Sequence, residues 1–194
     1  MKLLITASLA ALTLVASVRA DEVSDNLKTA ATAYEAGNYS EALQAVDYAG
    51  QLIRQKKAEA VAALLPGGPS GWTAEEAQSE AAAAALMGGM VTAKRTYTRG
   101  DSSVTLQIQS DSPLLQTYGM MFSNPALLAG SGAKLESIKG QRVAVTYKAA
   151  DKAGDIKAVV DNRYVVSIEG SGVTREELTS FMAALDLAKL TKLK

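Results

Sequence analysis

The chain has 194 residues, with 20 basic and 20 acidic side chains and neither histidine nor cysteine. That composition removes Ser-His-Asp and Cys-His nucleophiles, imidazole and thiolate metal ligands, disulfides and the cysteine of a lipoprotein anchor. The even charge argues against a nucleic-acid binder, which needs a basic surface, and any catalysis would rest on carboxylates, Lys, Tyr or Ser.

Residues 1–20 form a secretory signal: Lys2, an apolar run over 3–18, and the small-residue pattern Val18-Arg19-Ala20 before a cleavage point. Thr6, Ser8, Thr13 and Ser17 make the run shorter and more polar than a bilayer-spanning helix. Cleavage leaves Asp21 as the mature N-terminus and places the protein in a bacterial periplasm. Lys2 and Arg19 leave with the signal while every acidic residue stays, so the mature chain is slightly acidic.

Residues 21–65 are rich in Ala, Leu, Gln, Lys and Glu, broken once at Gly37-Asn38-Tyr39-Ser40, which predicts a helical hairpin. In its second helix Leu43, Val46, Ala49, Leu52 and Ile53 recur at three- and four-residue spacing and make an apolar stripe that needs a partner surface. The stretch Tyr34-Glu35-Ala36-Gly37-Asn38-Tyr39-Ser40-Glu41-Ala42-Leu43 resembles the turn and second-helix start of a tetratricopeptide repeat. The resemblance covers one hairpin, and no second copy follows at the expected period.

Pro66-Gly67-Gly68-Pro69-Ser70-Gly71 is a breaker cluster and marks a linker over 66–71. It lacks the Gly-Lys-Ser/Thr ending of a phosphate loop. Trp72 follows as an anchor to the core or an exposed stacking surface. Thr73-Ala74-Glu75-Glu76 reads as a capping box that opens an Ala-rich helix ending at Gly88-Gly89.

From Met90 the period becomes two. Val91, Ala93 and Tyr97, then Val104, Leu106 and Ile108 after the Arg99-Gly100-Asp101 turn, predict an antiparallel hairpin with one dry face and one Thr/Gln/Lys face. Asp111-Ser112-Pro113 starts a helix whose Met120, Met121 and Phe122, with Leu127, form a soft apolar wall suited to a core or to a ligand. Strands follow around Lys139-Gly140 and Asp161-Asn162. Asp151, Asp155 and Asp161 lack the spacing and terminal Glu of a calcium loop. Thr174-Arg175-Glu176-Glu177 is a second capping box, before a helix with Leu178, Phe181, Met182 and Leu185 on one face.

The expected fold is α+β: a mostly antiparallel sheet of about six strands covered by helices over 72–194, preceded by the hairpin over 21–65. A fragment starting near Gly71 should fold alone. From Trp72 onward the arrangement resembles the PsbP-like α/β/α sandwich, and stretches such as Asp111-Ser112-Pro113, Ser123-Asn124-Pro125 and Val166-Ser167-Ile168-Glu169-Gly170 resemble uncharacterised proteobacterial secreted proteins. The first resemblance implies a partner-binding protein without chemistry of its own. The functional expectation is a secreted, non-enzymatic binding or accessory protein with no cofactor, no metal, no nucleic acid and no membrane span. Its candidate interaction surface comprises Leu43, Val46, Leu52, Ile53, Trp72, Met120, Met121 and Phe122, facing a protein partner or a small apolar ligand. Two alternatives stand beside it: a small-molecule or lipid carrier with a pocket between helix and sheet, and a carboxylate- or Lys-dependent enzyme.

Overall fold

The computed structural model describes residues 21–81, 90–124, 128, 130 and 132–193. The expected signal at 1–20, the Ala-rich run at 82–89 and Leu127 lie outside the described residues. Two helices, α1 (Glu22–Glu35) and α2 (Tyr39–Ala62), form the expected hairpin. The strands are β1 (Thr73–Ala74), β2 (Gln78–Glu80), β3 (Val91–Arg99), β4 (Ser102–Ser110), β5 (Lys134–Ile138), β6 (Gln141–Lys148), β7 (Ala153–Val160) and β8 (Tyr164–Ser171). Helix α3 (Leu114–Ser123) separates β4 from β5, and α4 (Arg175–Ala184) and α5 (Leu187–Lys192) follow β8.

All pairings are antiparallel, in the order β1-β3-β4-β8-β7-β6-β5, with β2 also on the free edge of β3. The two halves of the sheet join through β4 and β8, with Leu106 opposite Ile168. The turns follow the backbone they require: Lys139 and Gly140, and Asp161 and Asn162, all take positive φ, as tight hairpin connections with right-handed twist demand.

The helix expected from Thr73 is corrected. Thr73 and Ala74 pair with Thr98 and Tyr97, and Gln78, Ser79 and Glu80 pair with Lys94, Ala93 and Thr92. The backbone amide of Glu75 donates to the Thr96 carbonyl. The unpaired edge of β3 offers this segment a ladder of hydrogen bonds that outweighs a local capping signal. Among the described residues the sheet consequently has eight strands instead of about six. The second capping box forms as read: Glu177 N donates to Thr174 Oγ1 at 3.2 Å, and Thr174 N donates back to the Glu177 carboxylate at 2.8 Å.

Alternation divides the sheet into two faces. On the inner face Val104, Leu106, Ile108, Val143, Val145, Ile156, Ala158, Val166 and Ile168 are buried. Leu178, Phe181, Met182 and Leu185 of the last helical region cover them. Phe181 stacks edge-on against Trp72 at 5.1 Å and tilted against Tyr97 at 4.9 Å. Val61, Ala62 and Leu65 belong to this same core, so the core crosses the expected boundary at 66–71.

A polar clasp fastens the connector over that core. Tyr97 OH donates to the Pro66 carbonyl at 2.7 Å, and Arg95 Nη1 donates to the carbonyls of Leu65 and Pro66 at 3.0 and 2.9 Å. Gly68, at φ +92°, passes so close to the Tyr97 ring that a Cβ there would stand 2.9 Å from its Cδ1. Glycine meets both demands at once. Among the described residues no helix is long and apolar enough to cross a membrane.

Candidate functional site

The hairpin is cemented by alanine. Ala30 and Ala33 of α1 face Ala42, Ala45 and Ala49 of α2, and all are buried. Side chains this small let two helix backbones approach closely, which pushes their larger neighbours to the rim of the interface. Leu27, Tyr34, Tyr39, Leu43 and Val46 therefore stand exposed, Leu43 by 64% and Tyr34 by 66%. With Ala30, Ala31 and Ala42 they line a groove of about 500 Å³ that contains no charged side chain. The Tyr34 and Tyr39 rings lie 5.8 Å apart across the turn and close its far end.

This tip lies away from the sheet. Among the described residues of the hairpin segment, the main core takes in Val61 and Ala62 at the end of α2 and Leu65 just after it. Tyr39 is 22 residues before Val61, so at 1.5 Å per residue it lies roughly 33 Å along the helix from that anchor. Lys57 pairs with Asp111 at the sheet-proximal end. Lys56 and Asp21, 3.6 Å apart, tie the start of α1 to α2.

The expected interaction residues do not share one surface. Leu43 and Val46 meet in the groove. Ile53 is exposed but outside it, and Leu52 is half-buried. Trp72 leaves the candidate surface: it is buried, edge-on to Phe181, with the Arg99 guanidinium 4.6 Å above its ring. The α1 side of the groove, Leu27 and Tyr34, was not anticipated, although their seven-residue spacing puts both on one helical face.

Met121 and Phe122, but not Met120, line a second concavity on the outer face of the sheet. None of the α3 side chains is fully buried. Met120 points to solvent at 55% exposure, so it is neither core nor lining. Leu114, Tyr118, Met121, Phe122 and Leu128 form the roof of a chamber of about 360 Å³, and Ala144, Thr146, Asp155 and Lys157 form its floor. The chamber opens on a shallow polar trough that shares Thr146, Asp155 and Lys157 and continues to Thr105, Lys148, Asp151 and Glu169.

Perturbed titratable groups lie elsewhere, each with a structural partner. Burial pushes Tyr97 up to about 12 against the opposing charge of Arg95. Burial also acts to raise Asp111, but Lys57 overrides it and holds the carboxyl below the usual range. Glu177 is held low by the Thr174 backbone N–H and by Arg99, and Asp186 by the Lys189 backbone N–H. Among the described residues no group of three or more carboxylates is placed to hold a metal ion. Comparison with family models, curated proteins and solved structures gave no match.

Proposed function

We propose that this chain is an exported, non-enzymatic accessory protein of a bacterial periplasm that docks a protein partner in the groove at the tip of its N-terminal hairpin. One observation carries the reading: five large apolar side chains converge on an uncharged groove at the end of the hairpin remote from the core. Apolar patches of this kind on a folded domain mark interaction surfaces, because their burial by a partner is worth roughly 1.5–3 kcal/mol per large side chain. A groove between two antiparallel helices accepts the apolar ridge of a third helix, so the partner contributes an amphipathic helical face.

Export is supported by the Lys2, apolar-run and Ala20 pattern, with α1 beginning at Glu22 directly after the cleavage point. The non-enzymatic reading is supported by a chain without His or Cys, whose perturbed carboxylates and tyrosine serve caps, an ion pair and the connector clasp.

The test is site-specific photo-crosslinking in the exporting cell, with a crosslinking residue at Leu43 or Tyr39 and a control at Thr105 on the outer sheet face. The expected result is one discrete adduct from both groove positions, none from Thr105, and mass-spectrometric mapping to an apolar helical face of the partner. No groove adduct, or adducts only to a second copy of this chain, would refute the proposal.

A further inference from the structure

The outer face of the sheet sets charges of both signs beside the chamber under α3. Asp155 and Glu169 are directly opposite one another on β7 and β8, and like charges in that register are destabilising. Lys157 lies 3.4 Å from the Asp155 carboxylate, which leaves Glu169 without an ion-pair partner among the described residues. These groups sit where the apolar chamber under α3 meets the polar trough, and both concavities share Asp155 and Lys157. A largely apolar recess that opens on three carboxylates, Asp151, Asp155 and Glu169, and two ammoniums, Lys148 and Lys157, with Asp155, Glu169 and Lys157 nearest its mouth, selects an occupant with an apolar body and charges of both signs. A simple anion meets Asp155 and Glu169, and a simple cation meets Lys157.

We infer that the chamber between α3 and the outer sheet face binds a single-chain amphiphile with a zwitterionic head. Its chain lies against Tyr118, Met121 and Phe122, its cationic group faces Asp155 and Glu169, and its anionic group faces Lys157. The volume, about 360 Å³, is at the small end of ligand sites, which fits one alkyl chain and not two. Methionine and aromatic side chains on a helix with no fully buried residue adapt to such a chain. Hairpin docking plays no part in this inference, and either can fail alone.

The probe is dodecylphosphocholine below its micelle concentration, titrated into the full mature chain with methyl-labelled methionine and followed by NMR. Dodecanoate and dodecyltrimethylammonium serve as the singly charged comparisons. The Met121 methyl should shift saturably, while Met182, buried on the inner face, stays in place. The zwitterion should bind about tenfold more tightly than either comparison, one charge-assisted contact's worth. Lys157→Glu, at a half-buried surface position, should weaken the zwitterion by a similar factor and strengthen the cation. Leu43→Glu should leave Met121 binding unchanged. The inference is overturned by the absence of a saturable Met121 shift, by equal movement of Met182, by affinities indifferent to head charge and to Lys157→Glu, or by loss of binding in Leu43→Glu.

Discussion

Removing residues 21–70, so that the chain starts at Gly71, should cost most of the stability of the sheet domain. The deletion takes Val61 and Leu65, 0% and 4% exposed, out of the inner core. At roughly 1.5–3 kcal/mol for each buried aliphatic side chain, that is about 3–6 kcal/mol. It also removes the Leu65 and Pro66 carbonyls that accept from Arg95 and Tyr97. Three hydrogen bonds, two of them from a guanidinium, add about 2–5 kcal/mol when their donors lose partners. Domains of this size are stable by only about 5–15 kcal/mol, so the fragment should be unfolded or marginal. Urea denaturation followed by circular dichroism checks this against the chain from Asp21 onward and against a fragment starting at Asp47, which keeps the end of α2. The Asp47 fragment should retain most of the midpoint. A Gly71 fragment with the full-length midpoint would refute the core assignment and restore 66–71 as an independent boundary.

Tyr97 stays protonated in the fold to about pH 12 against an ordinary 10, so it stabilises fully below pH 10 and loses that contribution between 10 and 12. The two units amount to about 3 kcal/mol, and Tyr97→Phe, measured beside wild type by denaturation from pH 9 to 12, should fall less steeply. Thr174→Ala should cost about 1 kcal/mol by thermal melting, because it removes the acceptor for Glu177 N. Glu177 and Asp111 are lowered in the fold, so their stabilisation is present above their unfolded pKa near 4 and is lost as the pH falls through the lower folded values. Glu177→Gln should flatten that acid limb. Gly154→Ala should destabilise by about 1–3 kcal/mol or more, because the new methyl would overlap the Thr146 carbonyl oxygen and stand 2.9 Å from the Tyr147 ring; a neutral melting temperature would contradict the packing of β6 on β7.

Much of the fold was legible because it rests on periods and turn chemistry. The alternation of Val104, Leu106 and Ile108, the Lys139-Gly140 turn and the Thr174–Glu177 box are local signals, and the surrounding structure agrees with them. Thr73–Glu76 carries the same local signal as Thr174–Glu177, yet it forms strand, because the open edge of β3 is a non-local fact absent from any short window. The stripe of α2 was legible as apolar, but which face turned inward was not: alanines at 42, 45 and 49 won the helix interface and left Leu43 and Val46 outside. The chamber under α3 was half-visible in Met121 and Phe122. Its floor at Asp155 and Lys157 depends on the register of β6, β7 and β8, which long-range pairing sets.

If the hairpin tip serves binding and not folding, as proposed, one variant separates the two by two readouts. Leu43→Glu/Val46→Glu places two charges in the groove at positions 64% and 50% exposed. Denaturation should show stability within about 0.5 kcal/mol of wild type, as for surface substitutions. The partner adduct formed from Tyr39 in the cell should disappear. A variant that melts several degrees early, or that keeps its adduct, would rule out a tip built for binding alone.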